Sequence, residues 1–142
     1  MKYIQEHLLP DEKVLYATTL HWIIWASTAI WVLIALSVVK YTGWWIFIFP
    51  VAAGVNAAIN YYTSEFGVTN KRVMMKMGFI RRKSLELLLP KVEGVQVDQG
   101  IIGRMLDYGT ITVSGTGGSH TPFPKVQKPM ELRRKVNELV SR

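Results

Sequence analysis

Two apolar runs constrain this chain more than any other feature. Between Lys13 and Lys40 no residue carries a formal charge, and the heart of that interval is WIIWASTAIWVLIALSVV, Trp22 to Val39. A second uncharged run extends from Tyr41 to Ser64 around GWWIFIFPVAAGVNAAINYY. A helix needs roughly 20 residues, at about 1.5 Å rise each, to cross the hydrocarbon core of a bilayer, and both runs reach that length. Neither shows the polar stripe that a helix on the surface of a soluble protein turns to water. The sequence therefore predicts a transmembrane hairpin over residues 21–62, with helices at 22–39 and 44–62. A cleaved leader fits poorly, because the start MKYIQEHLLPDEK is mixed in charge and no small-residue cleavage site follows the first run.

Only KYTG separates the two runs, so the helices must be antiparallel and both flanks must lie on one side. Two lysines precede the hairpin, fourteen lysines and arginines follow it, and one stands in the turn, which assigns both termini to the cytoplasm. Trp22, Trp44, Trp45, Tyr61 and Tyr62 fall where interfacial aromatic belts are expected. Pro50 is expected to kink the second helix. Beyond it, Gly54 and Ala58 are four residues apart, as are Asn56 and Asn60. Small residues at that spacing let helices approach and asparagine amides can bond between them, so these four are candidate helix-packing residues, either within the hairpin or for self-association.

After Thr63 the pattern changes from helical to alternating. Val73, Met75 and Met77 point one way and Arg72, Met74 and Lys76 the other, Gly78 marks a turn, and Leu85, Leu87 and Leu89 alternate against Ser84 and Glu86. Val95 and Val97 predict the inner face of a further strand, IIGRMLD a helical turn, YGTITVSG a strand with Ile111 and Val113 inward, and TPFPKV a short, proline-blunted edge strand. A helix is predicted over 129–140, with Pro129 at its start, Leu132, Val136, Leu139 and Val140 as its stripe, and Glu131/Lys135 and Arg134/Glu138 as pairs on the wet face. Residues 63–142 thus read as an antiparallel sheet domain closed by one amphipathic helix. Residues 1–20 form an N-terminal segment in which 13–19, KVLYATT, alternates and can add a strand to that sheet.

The charge excludes more than it assigns. The net +7 is carried by the part after the hairpin, which has fourteen basic residues against seven acids. Lys71, Arg72, Lys76, Arg81, Arg82 and Lys83 fall within fifteen residues that contain no acid, and they are the candidate lipid- or partner-binding residues. Tethered beside an anionic inner leaflet, each could contribute about 1 kcal/mol within a Debye length of about 8–10 Å; most such clusters only fix topology and solubility. Phe79 is the one aromatic among them, and no stacking platform or groove-reading motif accompanies it, so nucleic acid is not an expected partner. There is no cysteine. His7, His21 and His120 lie far apart, no HExxH occurs, Ser114 has glycine on one side only, and GTGGSH leads towards a strand instead of a helix. No catalytic residue, metal site or cofactor is predicted.

With those residues in view, the chain resembles the bacterial pleckstrin-homology-like domain proteins of the membrane-flanked kind. The likeness rests on LLPDEKVLYATTLHW before the first run, FGVTNKRVMMKMGFIRRK after the second, LPKVEGVQVDQGIIGRMLDYGTITVSGTGG in the middle and FPKVQKPMELRRKVNEL at the end. It implies an α+β membrane protein of the bacterial inner membrane. Its fold would be a partly open barrel of two bent sheets, seven-stranded and capped by a C-terminal helix. Six strands are legible after the hairpin, so the seventh is either unrecognised or supplied from the N-terminal segment. The implied function is that of a non-enzymatic membrane-anchored binding or scaffold module, which turns its basic surface to lipid or to a protein partner and can oligomerise. The alternative is an accessory subunit of a transporter or membrane enzyme.

Overall fold

Residues 2–118 and 120–141 of a computed structural model describe five α-helices and seven strands. The first apolar run opens as a 3-10 turn, Trp22–Trp25, because the His21 ring caps it: Nδ1 accepts the Ile23 N–H at 3.2 Å. It continues as α2, Ala26–Thr42. The turn predicted over KYTG narrows to Gly43 alone. Thr42 Oγ1 donates back to the Val38 carbonyl at 3.1 Å, Lys40 sits in the last turn where a cation favours the helix dipole, and Gly43 takes φ 74° to reverse the chain.

The second run is also not one uniform α-helix. Trp44–Phe47 is a 3-10 stretch and α3 spans Ile48–Thr63, so Pro50, which has no N–H to donate, falls in the turn where the helix changes type. The irregularity expected at Pro50 coincides with this change from 3-10 to α-helix. The two helices pack where small side chains allow it. A Cβ on Gly54 would meet Thr28 Cγ2 at 3.4 Å, and Trp31 stacks on Phe49 with ring centroids 5.4 Å apart.

The remaining chain folds into two antiparallel sheets. β1 (Val14–Thr18), β2 (Glu65–Thr69), β3 (Arg72–Met77) and β4 (Lys83–Leu88) lie in that order in the first. In the second, β5 (Val92–Asp98), β6 (Tyr108–Gly115) and β7 (His120–Gln127) follow one another. The segment before the hairpin pairs with the segment after it, Thr18 opposite Phe66 and Val14 opposite Thr69. Just beyond β1, Leu20 bridges to Val126 of β7 and the His21 N–H bonds the Lys125 carbonyl at 2.8 Å, which joins the sheets at one corner. At the opposite corner a 3-10 turn, Leu89–Lys91, links β4 to β5 without a shared ladder. The sheets therefore do not close into a barrel.

β7 is longer than the short blunted strand predicted, at eight residues. Its prolines are tolerated because β6 is its only ladder partner in that sheet, apart from the Leu20 bridge.

The core lies between the sheets and under α5, Pro129–Val140. Phe66 and Phe123 meet edge to face at 5.8 Å, with Val68, Val73, Ile111, Val113 and, from α5, Leu132 and Val136 fully buried around them. Burying such a side chain stabilises the fold by about 1.5–3 kcal/mol. Ion pairs on α5 run three apart, Lys128 to Glu131 at 3.7 Å and Lys135 to Glu138 at 3.3 Å. The first sheet is covered on its outer face too. The short helix α1, Lys2–Glu6, puts Ile4 against Gly67, and Met74, assigned to the wet face by alternation, is fully buried.

Candidate functional site

Strand register sorts the basic candidate residues to one of two ends of the domain. The apolar helices leave from the end of β1 and return at the start of β2, so Thr18, Glu65 and Phe66 mark the end next to the helix roots. Antiparallel pairing then puts Lys76, Met77 and Lys83 at that same end and Arg72 and Leu88 at the far one. Five residues of β2, at about 3.3 Å each, separate the ends by roughly 16 Å.

This divides the basic run. Lys71 sits in the far turn, where its ammonium donates to the Pro10 carbonyl at 3.1 Å. Lys76 lies over the Tyr3 ring, 4.1 Å from the centroid. Arg81, Arg82 and Lys83 are exposed together in the root-side turn between β3 and β4, with Arg82 over Phe79 at 5.5 Å. That turn is pinned to the second helix: the Gly78 N–H donates to Ser64 Oγ at 3.2 Å, and Phe79 lines a shallow apolar depression with Ala58, Ile59 and Tyr62. Gly78 takes φ 79°, and a Cβ there would come within 2.6 Å of the Arg81 carbonyl, so the turn needs glycine.

Arg72 has a different occupation. Its Nε donates to Glu12 Oε1 at 3.0 Å, Nη1 to Glu86 Oε2 at 2.9 Å, and Nη2 to Glu12 Oε2 at 3.1 Å and to the His7 carbonyl. The Glu12 side chain is fully buried. Burial alone would raise its carboxyl, but hydrogen bonds from Arg72, the Leu9 N–H and Thr69 outweigh that and bring it down to about 2. Arg72 is thereby the clasp that ties the N-terminal segment to β3. On β1, against the start of α5, Tyr16 is pushed up to about 12, first by burial and then by donating its hydroxyl to Glu131 at 3.2 Å.

The four helix residues also separate. Gly54 faces α2, Ala58 faces Phe79, and the Asn60 amide donates to the Asn56 carbonyl at 2.9 Å and to Asn56 Oδ1 at 3.0 Å, so the asparagines bond along their own helix.

Alternation and charge did not mark a further feature at the same end. α4, Ile101–Leu106, connects β5 to β6 and is attached by its polar and glycine side. The Gln99 amide donates to the Tyr108 carbonyl at 3.0 Å, Gly103 is buried against that carbonyl, and Tyr108 stacks on His21 at 5.2 Å, directly below the first apolar helix. Ile101, Ile102 and Met105 face outward. The signal was present in IIGRML, four apolar residues in six, but a turn so short reveals no face.

Among the described residues no group of three or more His, Cys, Asp or Glu side chains is arranged to hold a metal. Compared with known proteins, residues 13–140 match a family model described as Bacterial PH domain. No curated protein and no solved structure matches the chain.

Proposed function

The chain belongs to the bacterial PH domain family, and from that membership we propose that it is a non-enzymatic, membrane-anchored binding or scaffold module whose root-side surface faces an anionic leaflet. The observation that carries this reading is the coincidence of two features at one end of the domain. Both apolar helices leave from that end, and Arg81, Arg82 and Lys83 stand exposed beside the root of the second. The helices are 21 and 20 residues long, and 11% of the most apolar window of each is buried, which suits contact with lipid and does not suit the core of a soluble protein. With both roots on one side, the domain and both flanks share one face of the membrane, and the positive-inside preference makes that face the cytoplasmic one.

Three exposed cations near the surface could contribute about 3 kcal/mol in an anionic bilayer, whereas Lys71, roughly 16 Å further out, lies beyond a Debye length of about 8–10 Å. The test has two arms. The protein should resist alkaline extraction from membranes and need detergent to stay dispersed; a monodisperse protein in plain buffer would end the reading. In nanodiscs, amide exchange over 78–83 should slow when zwitterionic lipid is replaced by anionic lipid, and changing Arg81, Arg82 and Lys83 to glutamine should abolish that difference. Equal exchange in both lipids would remove the headgroup contact.

A further inference from the structure

Resting on the membrane-anchored reading, we propose that α4 and the Phe79–Ile80 turn are interfacial membrane contacts, so that the domain is seated on the bilayer by apolar side chains on either side of the hairpin. α4 is assembled inside out for a soluble helix. Its buried residue is Gly103, held close to the Tyr108 carbonyl, while Ile101, Ile102 and Met105 are 83%, 61% and 80% exposed. Outside the apolar helices, the described large apolar side chains exposed to 80% or more are Ile80, Ile101 and Met105, and all three lie at the root end. At the far end the turns Asn70–Lys71 and Thr116–Gly118 carry no apolar side chain, and exposed large apolar side chains there, such as Leu9 and Leu88, are only about half exposed, at 48% and 47%.

Position selects the occupant. α4 is fixed to the root of the first helix through Tyr108 and His21, and the Phe79–Ile80 turn to the root of the second through Gly78 and Ser64. Two apolar projections at the roots of two bilayer-length helices lie at the level where headgroups give way to acyl chains. A second protein copy would have to insert between the domain and the membrane to cover both. The cations suit this level as well, since Arg104 on α4 and Arg81, Arg82 and Lys83 on the turn have long stems that can lie along apolar surface while their charges reach phosphate.

The absence of cysteine makes the test direct. Full-length single-cysteine variants Ile101→Cys and Ile80→Cys, each carrying an environment-sensitive fluorophore, are reconstituted in liposomes containing a shallow lipid-borne quencher or exposed to aqueous iodide. Thr116→Cys at the far end serves as the water reference and Ile30→Cys within α2 as the lipid reference. The proposal expects both root-side probes to be quenched from the lipid at least threefold more than Thr116→Cys and to be shielded from iodide. Iodide-accessible root-side probes alongside a lipid-quenched Ile30→Cys would overturn this inference and leave the hairpin reading standing. A water-exposed Ile30→Cys would overturn the reading itself. Probes shielded from iodide but not quenched by lipid would mean that protein covers these faces, which also overturns the proposal.

Discussion

Replacing Arg72 by methionine separates a structural cation from the surface ones. In the native fold Arg72 neutralises a carboxylate whose side chain is fully buried, and Glu12 is lowered from 4.5 to about 2. That shift corresponds to about 3 kcal/mol of stability. Because the folded value lies below the unfolded one, the contribution is complete above about pH 4.5 and is lost as pH falls towards 2. Arg72→Met leaves the Glu12 charge buried with only Leu9 and Thr69 as donors, and the expected cost at pH 7 is about 3–5 kcal/mol. For a domain of this size that is a fall in melting temperature of roughly 12 °C or more.

The assay is far-UV circular dichroism in detergent, because all five tryptophans lie in the apolar helices and their fluorescence reports the hairpin. The gap between wild type and variant should narrow steadily between pH 4.5 and 2. Adding Glu12→Gln should restore part of the loss at pH 7, since the uncompensated charge disappears while an acceptor for Leu9 and Thr69 remains. A variant melting within a few degrees of wild type at pH 7, a gap independent of pH, or a double variant as unstable as the sum of the singles would refute the clasp.

Three further outcomes are expected. Tyr16→Phe removes a part-buried hydrogen bond to Glu131 and should cost about 1 kcal/mol in the same melts. Gly103→Ala places a Cβ 2.6 Å from the Tyr108 carbonyl, so α4 must shift away from it, and amide exchange over 99–108 should accelerate while the exchange of β2 and β3 is unchanged. Lys71→Gln should leave the anionic-lipid dependence of exchange in the 78–83 turn intact, in contrast to the Arg81, Arg82 and Lys83 triple variant.

Periodicity revealed most of the architecture because burial here follows simple repeats. Ile111 and Val113 alternate inward on β6, and Leu132 and Val136 repeat four apart on α5, so each element declares its core face. The same logic failed at Met74, because α1 covers a face that alternation assigns to water; Gly67, which leaves space for Ile4, was the one local sign of that cover.

The basic run is divided for a topological reason. Residues 71–83 are contiguous in sequence, but one strand carries Lys71 and Arg72 away from the residues that follow the turn, and acids 60 residues earlier and 14 later claim Arg72. Sequence distance cannot represent such a clasp. α4 was legible as a helical turn, whereas its outward apolar face depends on the Gln99, Gly103 and Tyr108 contacts that orient it.

The most direct test of the whole account is the sidedness of single cysteines in intact cells and in inverted membrane vesicles, labelled with a membrane-impermeant maleimide. Thr42→Cys, beside the Gly43 turn, should react only from outside the cell, and Thr116→Cys only from the cytoplasmic face. Reaction of both positions from the same side, or of Thr116→Cys from outside, would contradict a hairpin that spans the bilayer and holds the sheet domain against its inner surface.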